Sequence, residues 1–178
     1  MIIRLLTPLP FSSLILTLSC LLLSLLYFRF GFAILNNVKF KNIFKKSSER
    51  KLSNLRVLGT VFTGFLLSLL VIYMLFKFQR WPYGDYGLLV CLSGLSIIAV
   101  VCVVKFAINK DGFYKTLLLR LILIGTFGLI LFLTSEEKLL EVKFRHNPEY
   151  VEIEKQLIKD PENTELREKS INARRKEN

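Results

Sequence analysis

The chain has 178 residues, 52% of them hydrophobic and 22% charged, with 25 Lys or Arg against 14 Asp or Glu. That much apolar surface exceeds what a water-soluble domain of this length buries, so much of it has to meet lipid. One histidine and three cysteines leave no material for a histidine metal cluster, a Ser-His-Asp arrangement or a disulfide framework.

In chain order, the first apolar run is "FSSLILTLSCLLLSLLYF", residues 11-28, which at 1.5 Å per residue reaches roughly 27 Å, about one hydrocarbon core. Arg4 is the only early cation and no A-x-A-like site follows, so the run reads as a retained span rather than a cleaved signal. Cys20 ends a "LTLSC" that faintly resembles a lipoprotein box, but "LLLSLLYF" continues into the membrane where a lipoprotein turns polar.

Between this run and the next lie Arg29, Lys39, Lys41, Lys45, Lys46, Arg50, Lys51 and Arg56, with Glu49 as the only acid. Such a segment belongs on the cytoplasmic side of a membrane. Its "KFKNIFKKSSERK" also interleaves Phe40, Ile43 and Phe44 with cations. Lys39, Lys41, Lys45, Lys46, Arg50 and Lys51 are therefore candidates for contact with anionic lipid, beside the plainer reading of a positive-inside anchor.

The second, third and fourth runs cover about 57-76, 86-104 and 117-133 and are apolar all round. A helix facing both lipid and other helices has that character. The expectation is an all-α membrane protein: four transmembrane helices in residues 1-134 and a charged, helical, partly disordered tail in 135-178. Alternation from the basic loop puts the N-terminus and the tail outside. The tail votes weakly on its own account, with ten Lys or Arg against eleven Asp or Glu. The excess positive charge thus sits in the membrane part, as a topology and lipid-surface signal rather than a nucleic-acid footprint.

Cys20, Cys91 and Cys102 all fall inside spans, with no C-x-x-C spacing, so neither a metal nor a cofactor is expected. No Asp or Glu lies between Glu49 and Asp85, between Asp85 and Asp111, or between Asp111 and Glu136. A carboxylate-driven pump or motor therefore lacks its usual residue, and Arg120 sits near enough to a span end to snorkel. Small residues mark close-packing faces: Thr60, Gly64 and Ser68 every four residues on run two, Gly87, Cys91 and Gly94 on run three, Gly125 and Gly128 on run four.

Runs two and three are joined by "KFQRWPYGD", residues Lys77 to Asp85. Pro82 and Gly84 make a turn, Trp81 and Tyr83 suit a membrane interface, and Lys77, Arg80 and Asp85 supply charge. Lys77, Arg80, Trp81, Pro82, Tyr83, Gly84 and Asp85 form the candidate site, either as an interface anchor or as a contact for a partner. The pattern Lys77, Arg80, Trp81, Pro82, Tyr83, Gly84 resembles the Lys-x-x-His-Trp-Pro-Gly hairpin of small Bacteroidota inner-membrane proteins, including the gliding-motility motor component GldL. The resemblance implies a periplasmic hairpin in a bacterial inner membrane. Arg80 replaces the family's histidine, and no carboxylate occurs from Tyr86 to Lys110 where the motor proteins carry one, so motor activity is not carried over.

In the tail, Asn147-Pro148-Glu149 and Asp160-Pro161-Glu162 each order a cap residue, a first-turn proline and an acid, which predicts two short helices. Two such helices have too few apolar residues to bury a core. The functional expectation is a non-enzymatic, multi-pass inner-membrane protein acting as a structural or interaction component, with a membrane-protein partner or a second copy of itself. The alternative is a small transporter or channel subunit with a polar path along Thr60, Thr63, Ser68, Ser93, Ser96 and Thr126.

Overall fold

The computed structural model describes residues 12–36 and 54–175, so the lipid-contact candidates Lys39, Lys41, Lys45, Lys46, Arg50 and Lys51 lie outside the described residues. Those described form seven helices and no strand. Four are long and apolar enough to cross a membrane: α1 (Ser12–Leu35), α2 (Asn54–Gln79), α3 (Gly84–Asn109) and α4 (Gly112–Leu133). The chain is a multi-pass membrane protein. Each helix outruns its expected run. α1 passes Arg29 and continues seven residues beyond Phe28 through the apolar Phe30-Gly31-Phe32-Ala33-Ile34-Leu35, so a single arginine does not end the apolar helix.

The chain divides into two compact units, Ser13–Leu133 and the tail from Thr134 on. Within the first, α2 is the central helix. Leu67, Leu70, Val71 and Leu75 are buried on it, with Leu88, Cys91 and Leu95 on α3 and Leu117 and Leu121 on α4. Leu14, Leu22, Phe62, Ile97, Val104, Leu123 and Leu133 remain exposed, as lipid-facing residues are.

α1 runs antiparallel to α2 along the stripe of small residues. Gln79 Nε2 donates to Thr17 Oγ1 at 2.8 Å, the Ser24 and Ser68 hydroxyls share a 2.8 Å hydrogen bond, and Asn36 Nδ2 donates to Thr60 Oγ1 at 3.1 Å. Between the last two, Gly31 and Gly64 meet so closely that a Cβ on Gly31 would lie 2.8 Å from the Gly64 Cα. With no hydrophobic force between helices in lipid, such close backbone packing and interhelical hydrogen bonds hold the pair together, the latter worth on average about 0.6 kcal/mol each.

The tail unit has three helices where the sequence predicted two: α5 (Glu136–Lys143), α6 (Pro148–Lys159) and α7 (Thr164–Arg175). α5 begins at Ser135, whose Oγ accepts from the Lys138 N–H, and Glu136 and Glu137 occupy its first turn. α6 starts as expected, with Asn147 Oδ1 accepting from the Tyr150 N–H at 3.0 Å and Pro148 in the first turn. The second expected start is displaced. Asp160-Pro161-Glu162 forms a turn closed by Asn163 N–H to Asp160 O, and Asn163 caps α7 by accepting from the Leu166 N–H at 3.1 Å. Proline after aspartate suits the second position of a turn as well as the first turn of a helix, and here the turn wins.

The unit is knit together by specific contacts. Phe144 meets Tyr150 edge-on at 4.7 Å, Ser170 Oγ donates to Glu154 Oε1 at 2.5 Å, and Asn147 Nδ2 donates to the Ala173 carbonyl at 3.1 Å. Lys155 pairs with Glu141, linking α6 to α5.

Candidate functional site

The predicted hairpin is built as one cap on another. α2 ends in a Schellman motif: Trp81 N–H reaches back to the Phe76 carbonyl at 2.8 Å and Arg80 N–H to the Lys77 carbonyl at 3.1 Å. This requires Arg80 to take the left-handed conformation usually given to glycine, at φ 59°. The motif commonly carries an apolar contact between the residue after the left-handed one and the helix's last turn. Trp81 supplies it, edge-on to Phe76 with ring centroids 5.1 Å apart. Trp81 is thus a piece of the turn itself, and still 46% exposed.

Pro82 follows where the helix cannot continue. Tyr83, at φ 64° and 78% exposed, leads into α3, and the Gly87 N–H donates to its carbonyl at 2.9 Å. Gly84 then passes so near α2 that a Cβ would lie 2.7 Å from the Lys77 backbone nitrogen. Lys77, only 6% exposed, directs its Nζ to Asp85 Oδ1 at 2.5 Å. Asp85 lies in the first turn of α3, where a carboxylate also favours the helix dipole. The structure therefore brings the candidate residues together, but engages Lys77, Asp85, Trp81 and Gly84 in closing the hairpin. Pro82, Tyr83 and the outer part of Trp81 are left presented.

A second polar cluster, not singled out in the sequence, sits at the opposite end of the bundle, around the end of α1 and the starts of α2 and α4. Asn36, just past the end of α1, accepts from Arg56 Nε at 3.1 Å and donates to the Phe32 carbonyl and to Thr60. Arg56 lies over the Phe113 ring, 3.6 Å from its centroid, and its Nη1 is 3.4 Å from Asp111 Oδ2. The other oxygen of Asp111 caps α4, accepting from the Phe113 N–H at 2.9 Å. Arg120 donates to the Ile34 carbonyl in the last turn of α1. That carbonyl is one of the four a helix leaves unpaired at its C-terminus, where a cation is also favoured by the dipole.

Beside this cluster a cleft of about 500 Å³ opens between α2, α3 and the first turns of α4. Arg56 and Lys105 stand at one end of it, and its walls are mainly apolar, including Phe62, Ile97, Ile98 and Val101.

The six hydroxyls of the transport alternative do not line one path. Thr60 and Ser68 are spent on the α1 seam, and the Thr63 hydroxyl donates to the Gly59 carbonyl. Ser93 and Ser96 are exposed and bond to the carbonyls of Leu89 and Leu92 on their own helix. Thr126 is exposed on α4. Among the described residues no group of three or more His, Cys, Asp or Glu is placed to hold a metal ion.

No family model, curated protein or solved structure matches the chain.

Proposed function

We propose that this chain is a structural or interaction component of a bacterial inner membrane, in which the four-helix unit is the anchor and the Arg80–Tyr83 turn meets a membrane-protein partner or a second copy. The observation that carries this reading is where the buried polar groups go. Among the described residues of the membrane unit, the buried polar side chains Ser24, Asn36, Thr60, Thr63, Ser68 and Lys77 are each hydrogen-bonded within the chain. A transport path needs polar groups held toward a passage. Thr63 bonds within its own helix, and the others fasten helix to helix or close the hairpin, the chemistry of a scaffold. The positive-inside distribution and the hairpin's Bacteroidota-type pattern support the inner membrane as its location, with the hairpin and tail on the periplasmic side.

The test is purification from crosslinked cells, with a parallel flux assay in proteoliposomes. Tyr83→Ala and Arg80→Glu are expected to release a co-purifying partner while membrane-inserted levels hold. Trp81→Phe, which keeps the contact with Phe76, is expected to retain it. Ion or solute uptake by the wild-type chain alone would overturn the scaffold reading in favour of transport.

A further inference from the structure

We propose that the cleft between α2, α3 and α4 is a binding site for a single anionic phospholipid, with its phosphate between Arg56 and Lys105 and one acyl chain lying along the apolar walls. The argument begins with how the cleft arises. Toward the hairpin, α2 and α3 are pressed together: Gly84 lies against Lys77, Gly87 lies under the Tyr73 ring, and a Cβ on Gly94 would come 3.0 Å from Leu66. Beyond Gly94 this close packing gives way to the cleft, bordered by Thr63 and Ile97 at one end and by Arg56 and Lys105 at the other. From Ile97 to Lys105 the wall runs roughly 12 Å along the helix axis. The volume of about 500 Å³ lies within the range of pockets that hold small ligands.

Its chemistry is divided along its length. The hydroxyls of Thr60 and Thr63 are already bonded, Thr60 to the Arg56 and Val57 carbonyls and Thr63 to the Gly59 carbonyl, so they add little polarity to the walls. Phe62, Ile97 and Val101 are exposed, so the cleft opens sideways where the spans face hydrocarbon. An unfilled apolar cleft forfeits its dispersion contacts, and what a bilayer offers to fill it is an acyl chain.

The charged end selects the headgroup. Arg56 from α2 and Lys105 from α3 both line this end of the cleft, and the carboxylate beside Arg56, Asp111, gives one oxygen to it and the other to capping α4. Arg56 and Lys105 against Asp111 leave one positive charge in excess at this end, and Asn36 and the Phe113 ring hold Arg56 in place. A guanidinium so oriented and an exposed ammonium together suit a phosphate diester, and the attached apolar walls favour a lipid over the free anion.

Gly59 provides a clean test, since it lines the cleft and a Cβ there would meet nothing within 4 Å. Leucine at this position favours the helix and places its side chain where the acyl chain would lie. The full chain is exchanged into nanodiscs of phosphatidylglycerol and phosphatidylcholine in equal parts and weighed by native mass spectrometry after ejection. Wild type is expected to retain one phosphatidylglycerol per chain, and Gly59→Leu to lose it while inserting and melting like wild type or better. Lys105→Gln, at an exposed position, is expected to weaken retention about fivefold. Equal retention of the two lipids, undiminished phosphatidylglycerol on Gly59→Leu, or displacement of the lipid by excess inorganic phosphate would each overturn the proposal.

Discussion

Gly31 of α1 and Gly64 of α2 touch backbone to backbone: a methyl group on Gly64 would lie 2.9 Å from the Gly31 Cα and 3.0 Å from the Tyr27 carbonyl oxygen. Neither obstacle is the flexible end of a side chain, so relief requires the helices to part. Gly31→Leu and Gly64→Val are therefore expected to destabilise the bundle by about 1–3 kcal/mol, the usual cost of overpacking. Gly125→Ala, where a Cβ meets nothing within 4 Å, should be neutral or stabilising. Thermal melts of the detergent-solubilised chain check this, and the α1 seam can be read directly by a Ser24→Cys, Ser68→Cys pair, whose disulfide is expected to form when Gly31 is kept and to fail when Gly31→Leu is added.

At the hairpin, Lys77 is buried and its partner Asp85 is half exposed. Removing only the carboxylate leaves a cation without its partner, so Asp85→Asn is expected to cost about 1–3 kcal/mol. The double change Lys77→Met, Asp85→Asn should recover much of that loss, because no buried charge remains. A double-mutant cycle on unfolding free energy measures the coupling, and strictly additive losses would count against the pair. Tyr83 offers the opposite sign. It holds a left-handed conformation without being buried, and Tyr83→Gly should stabilise by roughly 1 kcal/mol.

What the sequence displayed and what it hid can be traced to individual residues. The four spans were legible because long apolar runs with few charges suit lipid, and the Asn147 start was legible because a cap, a proline and an acid act locally. The Thr60, Gly64 and Ser68 stripe announced a close approach but not its partner, since Gly31 lies beyond the point where the first run was expected to stop. Pro82 and Gly84 marked the turn, yet the Schellman cap was concealed because Arg80 occupies the place normally held by glycine. The Asn36, Arg56 and Asp111 cluster joins residues 20 and 55 apart, and no local pattern encodes such a juxtaposition. Helix α5 was missed although Ser135-Glu136-Glu137 carries an ordinary start signal.

In the tail unit, Ser170→Ala removes a hydroxyl that donates to the buried Glu154 carboxylate. A loss of about 1–3 kcal/mol is expected, seen as faster amide exchange across α6 and α7. Asn147→Ala should cost about 1 kcal/mol as a lost cap and also frees the Ala173 carbonyl.

Two exposed pairs give the same unit a pH profile. The hydrogen bond from Lys169 holds the Glu165 carboxyl below its ordinary value, so its stabilising contribution is present above that value and lost as pH falls through the lowered one. The hydrogen bond to Glu141 raises Lys155, whose contribution is present below the ordinary lysine value and lost as pH rises through the raised one. Both groups are surface-exposed, so the effects are expected to be small and to shrink with added salt. Chemical-shift titration of the two side chains at low and high ionic strength checks direction and screening together.

The last prediction concerns sidedness, on which the proposed partner contacts depend. Arg56, Lys105 and Lys110 lie at one end of the bundle and the Arg80–Tyr83 turn at the other, so a single experiment orients both. Successive loops carry eight, two and three Lys or Arg, and the positive-inside rule assigns the first and third to the cytoplasm. Reporter fusions after Lys46 and Lys110 are expected to report cytoplasm, and fusions after Tyr83 and Glu154 periplasm. Replacing Lys105, Lys110 and Lys115 by glutamine should weaken that preference without inverting it, because the first loop keeps its own excess of cations. A cytoplasmic signal after Glu154 together with a periplasmic one after Tyr83 would place the tail on the other face, and any partner of the tail would then be sought in the cytoplasm.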